Sequence, residues 1–173
     1  MRVRHRIGEL LSVTLIIFAG CTGQHSYQHL PTTEQELYRA YSQVMTPAQS
    51  KTYLSLSTVA EREAFARDIG VAQKLDALSP EERQAVLYGD VFKGMSGQAL
   101  RFVWGDPCRE EGPPAHRKWY YHGPVFSLPQ AGWNCSGDVD TITEVQLVNG
   151  KVEWWAERIP QRRRGRVGGR GGY

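Results

Sequence analysis

Several signatures are missing from this chain, and each absence removes a class of protein. Its longest apolar run, Leu10 to Ala19, is too short to span a bilayer comfortably and is bordered by Glu9. No Gly-Lys-Ser ending follows a glycine-rich loop, and no Gly-x-Ser-x-Gly elbow is present. The sequence therefore does not resemble a membrane-spanning protein, a P-loop nucleotide-binding protein or an α/β-hydrolase.

Cysteine is also scarce, with three residues in 173. One of them, Cys21, follows an N-terminal segment typical of exported proteins: three arginines, then the apolar run, then Ala19-Gly20. The ending resembles the lipobox of bacterial lipoproteins, which implies cleavage after residue 20 and lipidation of Cys21. We therefore expect a signal peptide at 1–20, a tether at 21–33 and a protein anchored to the membrane by lipid. An ordinary secretory signal or an uncleaved anchor is the alternative.

The other two cysteines, Cys108 and Cys135, form an even pair in a compartment that permits disulfides, so we expect them to be joined. A metal site that also uses His116 and His122 is the rival interpretation. The spacing of these four residues does not resemble a zinc knuckle, which needs closely paired ligands. We expect no metal and no cofactor.

Positive charge is concentrated at the two ends of the chain. Residues 161–173 contain five arginines with glycine and no acidic residue, a composition that cannot bury apolar surface and predicts a disordered tail. An Arg-Gly tail can bind nucleic acid, but an exported protein rarely meets it. Solvation, or contact with anionic lipid, is the favoured interpretation, and no nucleic-acid partner is expected.

Glycine is clustered between Gly89 and Gly112, and these glycines predict turns around a helix. Ser96 can cap a helix from Gly97 to Val103, and Gly105 can end it. Earlier in the chain, Thr46-Pro47, Thr58 with Glu61, and Ser79-Pro80 with Glu82 are helix starts. Gly70 and Gly89 are helix stops. We expect a helical region over 34–89.

After Gly105 the pattern changes to strands. Residues 116–123 are rich in aromatic side chains and predict a strand, and a short strand is also predicted from Val125 to Leu128. Asn149-Gly150 predicts a two-residue hairpin turn. The predicted fold class is α+β, with N-terminal helices followed by a three- or four-stranded antiparallel sheet. Counting outward from the turn predicts an apolar face and a polar face, with these pairs: Leu147 with Val152, Val145 with Trp154, Gln146 with Glu153, and Glu144 with Trp155.

Three motifs follow one another at a recognisable spacing: Gly94-Met95-Ser96, Gly105-Asp106-Pro107 and Trp119-Tyr120-Tyr121, before the closing hairpin. This order resembles the BamE-like (SmpA/OmlA) domain of small bacterial outer-membrane lipoproteins, over Val91 to Ile159. The resemblance implies a BamE-like α+β domain at 90–160. It also implies a non-catalytic scaffold role, lipid-anchored in the outer membrane and facing the periplasm, like the BamE-like component of β-barrel protein assembly.

Aromatic residues are abundant for such a small sheet and favour an interaction with an envelope protein. The hairpin count places Trp155 on the polar face, where it is either covered by the loop that carries Trp133 or exposed as an anchor. Trp155, Trp133 and Tyr121 are the predicted partner-binding residues. We predict no enzymatic activity and no catalytic residue. The alternative is a periplasm-facing hydrolase, or a small-ligand binder that uses the same aromatic region.

Overall fold

A computed structural model describes residues 27–124, 135 and 141–159 of the chain. A short 3₁₀ helix (Tyr27–His29) precedes six α-helices, and a four-stranded antiparallel sheet follows, which confirms the α+β class. The helices are α1 (Thr32–Ser42), α2 (Pro47–Ser55), α3 (Val59–Asp68), α4 (Val71–Asp76), α5 (Pro80–Tyr88) and α6 (Gly97–Trp104). The strands are β1 (Arg109–Glu111), β2 (His116–His122), β3 (Ile142–Val148) and β4 (Lys151–Arg158).

The helix starts are the ones that the sequence predicts. The side chains of Thr46, Thr58 and Ser79 each accept a hydrogen bond from the backbone N–H three residues on. The Gln or Glu side chain at that position accepts a hydrogen bond from the backbone N–H of the cap residue, which completes a capping box. Gly89 ends α5 with a positive φ of 81°. Ser96 caps α6, which extends one residue beyond the predicted end. Helix α4, which follows Gly70 directly, is not predicted.

The folded part of the chain begins earlier than expected. The expected tether includes residues 27–33, but Tyr27 packs against Tyr38 with ring centroids 5.7 Å apart, and Leu30 is buried in the core. Helix α1 already begins at Thr32. The expected tether boundary at residue 33 is therefore wrong. The segment is mainly polar, so its composition does not indicate the apolar contacts that Tyr27 and Leu30 make. Residues 1–26, which include Cys21, lie outside the described residues, as do Val125–Leu128 and 161–173.

The sheet order is β1-β2-β3-β4, with every neighbouring pair antiparallel. Asn149 and Gly150 have φ values of 50° and 77°, which suits the predicted two-residue hairpin turn. Strand β1 is not predicted, because its sequence Arg-Glu-Glu has no alternation of apolar and polar residues.

The hairpin register departs from the prediction at one point. Leu147 lies opposite Val152 as expected, but a β-bulge follows, so that Gln146 faces Trp154 and Val145 faces Trp155. The extra residue reverses the faces of all β4 residues beyond it. The assignment of Trp154 to the apolar face and Trp155 to the polar face is therefore wrong, and the two tryptophans exchange places.

A single hydrophobic core extends from the helices to the sheet, and α6 is its centre. Five of its side chains are buried: Ala99, Leu100, Phe102, Val103 and Trp104. The segment before α6 pairs with the edge of β4: Gly94 N–H donates to the Val152 carbonyl at 2.7 Å, and Val152 N–H donates to the Met95 carbonyl at 2.8 Å. The predicted helical region and the predicted BamE-like domain thus share one core.

Two sets of polar contacts join helices that are distant in the sequence. Arg62 of α3 donates through Nε and Nη2 to both carboxylate oxygens of Glu34 on α1, at 3.2 and 2.7 Å, and both side chains are buried. Glu82 of α5 accepts a hydrogen bond from the Ser96 backbone N–H at 2.7 Å and so joins α5 to the start of α6. Within the described residues, no helix combines the length and apolarity needed to cross a membrane.

Candidate interaction surface

The side of the sheet that faces α6 carries an aromatic cluster. The Trp104 ring meets Tyr121 and Trp155 edge-on, with centroid distances of 5.6 and 6.3 Å. The Tyr121 hydroxyl donates to the Gly105 carbonyl at 3.3 Å, and burial raises the pKa of this phenol. These contacts belong to the core, so the cluster positions the sheet on α6.

This geometry changes the account of the predicted partner-binding residues. Tyr121 has 0% exposure and is not accessible to a partner in this fold, which corrects its assignment. Trp155 is half-buried against Trp104 and lies on the core side of the sheet because of the bulge. Trp133 lies outside the described residues. The structure therefore does not bring the three residues together on one accessible surface.

The opposite side of the sheet, called here the outer sheet face, has a different composition. Strand alternation places these side chains on it: Lys118, Tyr120, Glu144, Trp154 and Arg158. Helix α6 lies against the other side, which carries Trp119 and Leu147. Trp154 is 37% exposed and is the aromatic residue that the sequence reasoning missed. Two adjacent tryptophans break the alternation of β4, and this break is the signal that could have predicted a bulge.

A buried carboxylate organises the charges of the outer sheet face. Only 4% of the Glu144 side chain is exposed, and its two oxygens contact Lys118 Nζ at 2.8 Å and Arg158 Nε at 2.9 Å. The hydrogen bond and the charge of Glu144 raise the pKa of Lys118 above its usual value. Ala156 lies opposite Glu144 on β4, and its small side chain leaves room for both cations. The cation heads are thereby fixed beside Trp154.

Tyr120 continues this surface towards β1. The Arg109 guanidinium lies 4.3 Å from the centroid of the Tyr120 ring, and the Tyr120 hydroxyl donates to Glu111 at 2.9 Å. Partial burial, together with this bond to a carboxylate, raises the pKa of the Tyr120 phenol. The outer sheet face thus brings together tryptophan, tyrosine and arginine side chains, which are residue types enriched at the centres of protein interfaces.

Cys108 and Cys135 are joined by a disulfide, with Cα atoms 5.2 Å apart, as parity predicts. The bridge closes a loop across 27 residues of sequence, which stabilises the fold by about 3.5 kcal/mol in the chain-entropy model. Because the two sulfurs are bonded to each other, neither is a thiolate available to a metal. The described part of the chain contains no group of three or more His, Cys, Asp or Glu residues placed to hold a metal ion.

Ser96 lies in a groove of about 670 Å³, and its geometry gives no support to a role as a nucleophile. Its Oγ accepts the Ala99 backbone N–H at 3.2 Å, so it acts as a helix cap. The titratable side chains that line the same groove are Lys74, Arg101, Asp106 and Arg117, without a histidine to serve as a base.

Neither family models, nor curated proteins, nor solved structures give a match to this chain.

Proposed function

We propose that the protein is an exported lipoprotein, anchored through Cys21 at the periplasmic side of the outer membrane. In this proposal it acts as a non-catalytic interaction module, similar to the BamE-like component of outer-membrane protein assembly. The outer sheet face contacts the partner, with Trp154 as the anchor side chain. Trp154 thus replaces Trp155 as the proposed anchor, because the β-bulge exchanges the faces of the two residues.

The observation that carries the proposal is the exposed Trp154 on the outer sheet face, the side of the sheet opposite α6. Tryptophan, tyrosine and arginine are the residue types enriched at interface hot spots. Arg158 and Lys118 are already held by Glu144. Less side-chain entropy is therefore lost when a partner binds.

Photo-crosslinking and affinity capture from native membranes test this proposal. We expect Trp154→Ala to weaken partner capture by about 2 kcal/mol, on the order of 30-fold. Tyr88→Ala is the matched control, because Tyr88 is 64% exposed on α5, away from the sheet. Equal capture by the two variants, with both proteins folded, would rule out the outer sheet face as the contact surface.

The anchor is tested separately. Cys21→Ser, or treatment with an inhibitor of lipoprotein signal peptidase, should give an unprocessed precursor or a form that no longer partitions with membranes. Correct processing and unchanged membrane partitioning of Cys21→Ser would overturn the anchor, without bearing on the interaction surface.

A further inference from the structure

A groove of about 670 Å³ lies on the opposite side of the sheet from the outer sheet face, between α6, β2 and the hairpin turn. Trp119, Phe102 and Leu147 contribute apolar surface to it. The first turn of α6 forms one wall, and glycine is required there: a Cβ at Gly97 would lie 2.8 Å from Trp119 Cη2 and 3.0 Å from Leu147 Cδ2. Its volume lies in the range of ligand sites, about 300–1,000 Å³.

The rim of the groove is cationic. Lys74, Arg101 and Arg117 line it, against a single lining carboxylate, Asp106. Arg101 is held above the Trp119 ring, with Cζ 4.8 Å from the ring centroid, and it donates to Asp106 at 2.5 Å and to Glu110 at 2.6 Å. Glu110 also accepts from Arg117 at 3.2 Å. Three cations thus face two carboxylates, and a net positive charge remains.

Lys74 takes no part in the ion pairs that Arg101 and Arg117 make with the carboxylates. Its side chain is exposed at the groove and makes no ion pair with any of the described residues. Its backbone carbonyl accepts a bond from the Gln98 amide at 2.9 Å, which fixes the position of the chain at that point. The Lys74 ammonium is therefore available to pair with a ligand carboxylate at the edge of the apolar surface.

Trp119 supplies a second, independent observation. It is 5% exposed, it lines the groove, and its indole N–H has no acceptor within the described part of the chain. Buried indole donors are usually paired, because an unpaired buried donor costs free energy. Among the described residues, a buried indole donor without an acceptor thus lies in a side chain that lines the groove, and the rim carries an unpaired cation.

We propose that this groove binds an acidic peptide segment of another protein. An apolar side chain of the segment lies on Trp119, Phe102 and Leu147, and its carboxylates pair with Lys74 and the two arginines. The tail of this chain is excluded as the occupant by its charge, since residues 161–173 carry five arginines and no acid. The inference rests on the proposed interaction function but uses a surface distinct from the outer sheet face.

The test is a titration of the full-length chain with two capped pentapeptides. One has the sequence Asp-Glu-Phe-Glu-Asp, and the other replaces each acid by its amide, Asn-Gln-Phe-Gln-Asn. Binding is followed by NMR at the Trp119 indole N–H, which is assigned with Trp119→Phe. We expect the acidic peptide to shift this resonance and to bind at least tenfold more tightly than the amide peptide. We also expect added salt to weaken its binding.

Charge reversal locates the site. Lys74→Glu should weaken binding of the acidic peptide at least tenfold, whereas Lys51→Glu should leave it unchanged. Lys51 is the matched control because it is equally exposed and lies on α2, outside the residues that line the groove. Both lysine variants should retain the wild-type circular dichroism, because neither side chain makes an ion pair within the described residues.

Three results would overturn the proposal. The first is equal binding of the acidic and amide peptides, and the second is an equal effect of the two lysine variants. The third concerns the acidic residues Asp138 and Asp140, which lie between β2 and β3 in the sequence. Binding that appears only after both are changed to Asn would mean that this segment of the same chain is the occupant. None of these results depends on Trp154 or on native membranes, so they are separable from a failure of the proposed function.

Discussion

Both sides of the sheet carry tryptophan and tyrosine, but these residues are buried or half-buried on the inner side and exposed or partly exposed on the outer sheet face. Trp155 packs on Trp104 on the inner side, while its neighbour Trp154 is exposed on the outer sheet face. Tyr121 and Tyr120 are divided in the same way, one fully buried and one partly exposed beside charged side chains. The inner side packs against α6, whereas the outer sheet face leaves Trp154 exposed among the described residues. A single extra residue in β4 decides which tryptophan has which role.

The largest expected effect comes from the tyrosine pair of β2. Tyr121→Ala should lower the free energy of unfolding by roughly 3–5 kcal/mol, because it leaves a large cavity beneath Trp104. Tyr120→Ala should cost about 1 kcal/mol, since it removes one bond to an exposed carboxylate. Urea unfolding of both variants measures the difference. Similar losses in the two variants would contradict the assignment of one residue to each side.

A smaller effect is expected from the buried carboxylate of the outer sheet face. Glu144→Gln should cost roughly 1.5–3 kcal/mol, since hydrogen bonds to charged groups are the stronger ones. Glu153→Gln is its control: Glu153 accepts from Lys93 at 2.6 Å, but both side chains are largely exposed, so its loss should cost about 0–1 kcal/mol. If the two variants lose the same stability, burial does not strengthen the Glu144 network.

The smallest effect concerns pH and the contact between α5 and α6. Partial burial raises the pKa of Glu82, but the hydrogen bonds from Ser96 and Ser79 outweigh it, so that the pKa is lowered overall. The unfolded chain then binds the proton more readily, and the contribution of Glu82 to stability is present above its ordinary pKa of 4.5. That contribution is lost as pH falls through the lowered pKa.

Glu82→Gln should therefore cost about 1 kcal/mol at neutral pH, the usual loss for a disrupted helix cap. The difference from the wild-type protein should vanish in acid. Glu81→Gln is the control, because Glu81 is exposed on the same turn. Thermal unfolding between neutral pH and pH 3 follows the difference. A deficit in Glu82→Gln that persists at pH 3 would show that shape, and not charge, explains its effect.

Local signals predicted most of the architecture. Thr46, Thr58 and Ser79 each begin a helix with a capping box, and Asn149-Gly150 forms the hairpin turn, because these motifs satisfy backbone groups within a few residues. Such interactions need no knowledge of the rest of the chain. The fold class, with helices that precede an antiparallel sheet, follows from them.

The parts that escaped prediction depend on distant contacts. The groove beside Gly97 exists only because α6 lies on Trp119, and neither residue signals the other in the sequence. Strand β1 consists of charged residues and is recognisable only through its pairing with β2. The only trace of the β4 bulge in the sequence is a pair of adjacent tryptophans. A count that assumes strict alternation along the strand overlooks it.

The opposite roles of the two tryptophans are tested most directly by the stabilities of Trp155→Ala and Trp154→Ala. Urea unfolding should show a loss of at least about 2 kcal/mol for Trp155→Ala, below the roughly 3–5 kcal/mol of a fully buried ring. Trp154→Ala should lose less than about 1 kcal/mol, as an exposed side chain does. The reverse order would contradict the account, because a hairpin without the bulge places Trp154 opposite Val145 in the core and Trp155 outside.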